Sequence, residues 1–247
     1  MVSTPQTKTA FHAVLAVVFQ VRDGRLQTLL WQRARNPYSG SWALPGGMLE
    51  PAESLELSIR RHLATKVDVR ELSHLEQLET RSDPDRNPSR RELATAYLGL
   101  IPRDADPSIP GDTSWHPVDE LPALAYDHKP IVLTAQERLR AKLSYTNLGF
   151  ALAPPSFTIS ELRELYRAAL GHNVNTTNLR RVLLRRGVIE QTGDHRSPSR
   201  EGGRPAALFC FTSRTLTITD QFAVLKPPPP NRTPQARPRI AGSKGAG

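Results

Sequence analysis

The sequence predicts a mixed α/β (α+β) domain followed by a smaller helical domain, and three observations carry that prediction. In the first 145 residues, β-branched and aromatic runs alternate with segments that repeat apolar residues every fourth position. Past Ala153-Pro154-Pro155 the pattern changes to two short amphipathic helices and two strands. Charge divides at the same place. Residues 1–145 hold 18 basic and 18 acidic side chains, residues 146–226 hold 11 and 6, and residues 227–247 hold 4 and none. The whole formal excess of +9 therefore lies in the C-terminal part, the asymmetry expected when one half meets a polyanion.

Residues 10–21 are apolar, β-branched and aromatic enough for a strand, and Asp23-Gly24 is a hairpin turn leading to a returning strand over Leu26–Arg33. Gly40, Gly46 and Gly47, with Pro37 and Pro45, mark a loop around the short segment Trp42-Ala43-Leu44. Pro51 suits a first helical turn, and Leu55, Ile59 and Leu63 give a helix over about residues 52–66. Strand candidates follow within Val67–Arg81 and Glu92–Ile101, separated by the polar loop Asp83–Pro88. Residues 130–143 return to helical spacing through Ile131, Ala135, Leu139 and Leu143.

In the second unit, Thr158 and Glu161 form a capping box, with Phe157 and Leu162 placed as a hydrophobic staple across it. Leu162, Leu165, Tyr166 and Ala169 make an apolar face, and Gly171 ends the helix. Asn175 caps a second helix, 176–186, whose inward stripe is Leu179, Val182 and Leu183 and which ends at Gly187. Val188–Thr192 and Ala207–Phe211 read as two strands around a basic loop. Two helices with such a hairpin make a winged helix-turn-helix. The domain reading is thus 1–9 flexible, 10–143 the α/β unit, 144–226 the winged helix, and 227–247 a disordered basic tail opened by four prolines.

Composition excludes several classes. At 38% apolar and 23% charged, the 247 residues can build a core, so global disorder is excluded. The single cysteine, Cys210, rules out an internal disulfide framework and a thiolate zinc cluster. No signal peptide and no apolar run of about 20 residues is found, so a soluble cytoplasmic protein without membrane partners is expected.

The α/β unit resembles the Nudix family. Gly47, Glu53, Arg61, Leu63 and Val69 stand in the register of the Nudix box, and Leu30-Trp31-Gln32-Arg33, Trp42–Gly47 and Trp115–Pro122 look like the flanking pieces. The resemblance implies an α/β/α sandwich over residues 10–143. The departures lie in the chemistry. The box glutamate after the arginine is His62, the two metal-binding glutamates are Thr65 and Lys66, and the closing glycine is Asp68. A hard cation needs carboxylate oxygens, so neither a metal site nor catalytic residues are expected, although Lys66 could pair with a phosphate. The region that holds the family's nucleotide gives the candidate effector-binding residues Arg33, Arg35, Trp42, Gly46, Gly47, Glu53 and Lys66. Arginine can grip phosphate in bidentate fashion and tryptophan can stack a base. A surface arginine, a core tryptophan and a Glu53 that only braces the turn are the alternatives, and the two glycines suit a strained backbone.

On the second helix of the winged unit, Asn178, Arg181 and Arg185 fall on one stripe opposite the apolar one, flanked by Thr177 and Arg180. Arginine and asparagine suit guanine and adenine edges in a major groove. The wing adds Arg196, Arg200 and Arg204, which could follow a phosphate backbone. A solvated helix or a protein-contact surface are the plainer readings. Seven arginines against three acids between Arg180 and Arg204 favour DNA.

The combination of a degenerate Nudix box, Asp127-His128, Phe157–Tyr166, Asn178–Arg181 and Gly203–Ala206 resembles the NrtR-type regulators, Nudix-related repressors of NAD metabolism. The resemblance implies a homodimer on a palindromic double-stranded operator at genes of NAD synthesis or salvage. It also implies an ADP-ribose-like effector in the Nudix cavity, with no cofactor required. A Nudix pyrophosphohydrolase of ADP-ribose or NADH with an unusual metal site, and a protein-interaction adaptor, are the competing readings.

Overall fold

A computed structural model describes residues 9–197 and 205–220. Strand β1 (Phe11–Arg22) turns through Asp23 and Gly24, both at positive φ (49° and 72°), into β2 (Arg25–Gln32), as a primed hairpin turn requires. Short strands β3 (Trp42–Ala43) and β4 (Gly46–Met48) precede helix α1 (Leu55–Lys66). Strands β5 (His74–Arg81), β6 (Glu92–Leu100) and β7 (Thr113–Pro117) lead to helix α2 (His128–Tyr145). The seven strands form one mixed sheet of order β3-β2-β1-β6-β5, with β4 paired to β1 and β7 to β2. Of the paired strands in this sheet, β1 and β6 run parallel and the other pairs antiparallel.

Alternation along β1 sends Val14, Ala16 and Val18 to one face, against Ile59 and Leu63 of α1. Leu15, Val17 and Phe19 go to the other, against Ile131, Ala135 and Leu139 of α2. A central strand buried on both faces reads as a near-continuous apolar run, and residues 13–21 are all buried, Gln20 with its amide donating to Pro102 O and Ala105 O. The expected helical start at Pro51 is corrected. Pro51-Ala52-Glu53 is a turn, and α1 begins after Ser54, whose Oγ accepts the Leu57 N–H at 3.2 Å.

Helices α3 (Ile159–Leu170) and α4 (Thr176–Arg185) and the hairpin β8 (Ile189–Arg196) and β9 (Ala206–Phe211) make the winged unit. The capping box forms in both directions, and Gly171 closes α3 at φ 77°. Asn175 caps α4 by accepting the Asn178 N–H at 2.9 Å. Phe157 exchanges two backbone hydrogen bonds with Phe209, at 2.9 and 2.8 Å, which ties the base of the wing to the start of α3.

The segment joining the two units is packed inside. Leu148, Phe150, Leu152 and Ala153 are each at most 2% exposed, and Arg103 donates its N–H to Leu152 O at 2.9 Å. Ile131, Leu139, Phe150, Phe157, Leu165 and Phe211 belong to one continuous apolar cluster. Buried Asn147 bonds the backbone of Ser213, Thr215 and Thr217, which draws the segment after the wing back onto the end of α2. The residues read as a flexible N-terminus lie outside the described residues except residue 9, and the Pro-rich tail lies wholly outside them. No helix among the described residues is long and apolar enough to cross a membrane.

Candidate functional site

The mixed sheet, the C-terminal end of α1 and the start of α2 border a partly open cavity of about 500 Å³. Arg33, Arg35, Gly46, Gly47 and Lys66 line it, as do Trp31, Met48, Arg86, Arg90, Glu92, Tyr126 and His128. Trp31 lies in β2 and Arg33 just past its end, where backbone bonds to Gly40 and Ser41 continue the pairing, so the two-residue spacing puts them on one face. Arg33 donates through Nε to Pro37 O at 2.9 Å and lies 4.9 Å from the centre of the Tyr126 ring. Lys66, the last residue of α1, donates through Nζ to Gly46 O at 2.6 Å and sits 4.9 Å above the Trp31 ring. Burial, and then the charges of Arg33, Arg61 and Arg35, hold its ammonium below the ordinary lysine pKa.

The cavity floor is a buried ionic cluster. Arg86, only 2% exposed at its side chain, donates to Glu92 at 3.0 Å and to both oxygens of Asp127, at 2.7 and 3.3 Å. Glu92 also receives Arg90 and the Asn87 amide. Beside it, His128 Nδ1 accepts the Leu44 N–H at 3.0 Å, so the ring is neutral with its proton on Nε2. Burial drives its pKa down to about 3.

Two expected lining residues stand elsewhere. Trp42 pairs with Gln32 and packs its ring on His116 at 4.4 Å, and Trp31 takes the tryptophan position in the cavity wall. Glu53 is gripped by Arg61 through bonds of 2.9 and 2.5 Å, which hold its carboxyl down at about 2. It also accepts the Glu50 N–H and so braces the turn before α1. The two glycines are explained by close approach. A Cβ on Gly46 would lie 2.1 Å from Val14 O, and one on Gly47 would lie 2.4 Å from the His62 ring.

The second surface is α4. Thr177, Asn178, Arg180, Arg181 and Arg185 are all exposed, while Leu179 and Leu183 are buried beneath them. Arg181 donates to Asn178 Oδ1 at 2.9 Å, and Arg180 stacks 5.8 Å from the Phe209 ring of the wing. Arg196, at the end of β8, is ion-paired to Glu161 of the capping box and is therefore not an isolated cation. Arg200 and Arg204 lie outside the described residues.

The NUDIX domain family matches residues 11–135, and the NrtR DNA-binding winged helix domain matches residues 149–211. A relative from Acinetobacter baylyi, named an ADPR responsive transcriptional repressor NtrR, is 33% identical over 201 residues, covering 78% of this chain and 79% of its own. The chain belongs to the NrtR family. Crystal structures of Shewanella oneidensis NrtR, alone and complexed with a 27mer DNA, superpose on it with TM-scores of 0.70 and 0.69 at 33% and 32% identity. They are matched over 81% of this chain, and over 94% and 93% of theirs.

As a NrtR-family Nudix domain, the chain can be tested for a divalent cation on α1, and its residues do not fit one. Glu53 is committed to Arg61, Thr65 Oγ1 donates to Arg61 O at 2.8 Å, and His62 is bonded to Met48 O at 3.0 Å. Lys66 brings a positive charge where an acceptor is needed. Among the described residues, no group of three or more His, Cys, Asp or Glu is placed to hold a metal ion. Asp68 keeps the left-handed turn of the box, at φ 52°, which aspartate tolerates better than most residues.

Sequence reasoning missed Trp31, Arg86, Arg90, Glu92, Tyr126 and His128 as lining residues. Strand alternation from Arg33 back to Trp31 was an available signal. Nothing local announces Arg86, since its partner Asp127 is 41 residues away.

Proposed function

We propose that this chain is a DNA-binding transcriptional repressor of genes of NAD synthesis or salvage, with an ADP-ribose-like nucleotide as its effector. The observation that carries this reading is a cation-lined cavity, lacking an acidic metal-ligand set, whose domain shares one core with a helix that exposes arginines. Membership of a family whose Acinetobacter member is named ADPR responsive, and whose Shewanella member crystallised with DNA, supports it.

In this reading Arg33, Arg35 and Lys66 face the phosphates of the effector, and Trp31 and Tyr126 offer rings to its base. Thr177, Asn178, Arg180, Arg181 and Arg185 meet DNA, with Arg196, Arg200 and Arg204 on the wing side. The active species is a homodimer on a palindrome, its two α4 helices about 34–36 Å apart. The effector releases DNA only if it binds the DNA-free arrangement better than the DNA-bound one. Because the junction is packed, the shift is a sliding of α3 against α2 and the sheet, and not the swing of a loose linker. Hydrolysis of the effector is not part of the function, since the carboxylates that would hold its metal are replaced.

Fluorescence anisotropy tests this with duplexes from the chain's own upstream region and from NAD-synthesis promoters, at two salt concentrations, with and without ADP-ribose. Sequence-selective, salt-sensitive binding that ADP-ribose weakens is expected. Turnover of ADP-ribose or NADH with Mg²⁺ or Mn²⁺, lost in Glu53→Gln, together with no selective DNA binding, would overturn it in favour of a hydrolase.

A further inference from the structure

We propose that Lys66 takes the place of the divalent cation of a Nudix site, so that this cavity grips a diphosphate with fixed side-chain cations and no metal. The inference rests on the effector reading of the cavity and adds to it how the charged part of the ligand is held.

Five of the side chains lining the cavity are cationic and one, Glu92, is a carboxylate. Glu92 is already neutralised by Arg86 and Arg90, and Arg86 is shared with Asp127. Lys66, Arg33 and Arg35 are left, and among the described residues none of the three is ion-paired to a carboxylate. Arg33 bonds only carbonyl oxygens, and Lys66 bonds only Gly46 O. An ammonium has three N–H donors, and here one is used, which leaves two for an anion. The position of Nζ is set in advance, by the Gly46 carbonyl at 2.6 Å and the Trp31 ring at 4.9 Å.

A divalent cation entering beside this ammonium would meet repulsion, with Glu53 closed by Arg61 and the lining carboxylate Glu92 held by Arg86 and Arg90. A diphosphate would instead relieve the mutual repulsion of three cations held in one cavity. The same residue that repels the metal therefore supplies, together with Arg33 and Arg35, positive charge of the kind the metal would have brought. The neutral parts of the ligand are left to Trp31, Tyr126 and the backbone.

Calorimetric titration of the full chain with ADP-ribose, and separately with inorganic pyrophosphate, tests this in EDTA and in Mg²⁺. Both ligands are expected to bind in EDTA, with Mg²⁺ changing affinity by less than about threefold. Lys66→Met should weaken both by about 10- to 100-fold, the value of a charged hydrogen bond, while Lys66→Arg keeps most of the affinity. An unchanged thermal transition separates lost binding from lost folding in either variant. Binding that requires Mg²⁺, or Lys66→Met binding pyrophosphate as the wild type does, would overturn the inference. Pyrophosphate bound in EDTA with no binding of ADP-ribose would leave the cation site standing and discard the effector reading. Neither ligand bound in EDTA discards the cation site.

Discussion

Replacing Arg86 by methionine removes the one cation shared by two carboxylates beneath the cavity. Its side chain is 2% exposed, and its partners Glu92 and Asp127 are 9% and 24% exposed at theirs. In Arg86→Met, Asp127 loses both of its guanidinium hydrogen bonds, while Glu92 keeps Arg90 and the Asn87 amide. Breaking a buried pair from one side costs about 3–5 kcal/mol, because the remaining charge is left in a poorly solvated place. Over a chain of this size that lowers Tm by roughly 6–20 °C. The loss should shrink with acid. Burial pushes the Asp127 carboxyl up, but the Arg86 hydrogen bonds hold it below its ordinary value. A depressed carboxylate contributes stability above its unfolded pKa and loses it as pH falls through the folded one, so only the wild type has this contribution to lose. Urea unfolding of both proteins at about pH 7 and at about pH 3, below the ordinary aspartate value of 3.8, measures the difference at each. A deficit under about 1 kcal/mol at neutral pH, or one that grows in acid, would refute the view that Arg86 holds two carboxylates in place.

Other outcomes follow from the same geometry. His128 is buried neutral with a pKa of about 3 against 6.5 unfolded, so the unfolded chain takes up a proton as pH falls below 6.5 and the fold does not. Stability should drop by about 1.4 kcal/mol per pH unit in that window, with His62 and His116 adding in the same direction, and His128→Gln should flatten the slope in urea unfolding. Arg180→Ala with Arg181→Ala, both exposed, should leave the thermal transition within about 1 kcal/mol of wild type. The same pair should abolish sequence-selective operator binding in the anisotropy assay and, where both side chains contact phosphate, reduce the salt slope of the remaining nonspecific binding by about 2. Glu161→Ala removes one half of the capping box and the partner of Arg196, and should cost about 1–2 kcal/mol in chemical unfolding, with Glu161→Gln intermediate.

Local patterns carried a large part of the architecture. The β-branched run of β1, the Asp23-Gly24 turn, the capping box of Thr158 and Glu161 and the Asn175 cap are each decided within a few residues, and each is found where the spacing puts it. The start of α1 was misjudged because Pro51 and Ser54 both suit a helical N-terminus, and the hydrogen bond from Leu57 N–H to the serine decides between them. The cavity was legible only in part. Arg33, Arg35, Lys66 and the two glycines were found through the box and its flanks, but Trp42 was chosen where Trp31 stands. Both tryptophans sit beside the same loop, and which ring faces the cavity depends on the pairing of β2 with β3 and β7.

The sequence alone determined the two kinds of domain, the loss of the acidic metal ligands and the concentration of positive charge in the C-terminal part. These follow from residue identity and short-range spacing, which folding does not alter. Only the tertiary structure decided that the two domains share one core across Leu148–Ala153, that Arg86 joins Glu92 to Asp127, and that Arg196 is paired with Glu161. Each of these joins residues that the chain separates and the packing of apolar faces brings together, and the choice of charge partner follows from that packing.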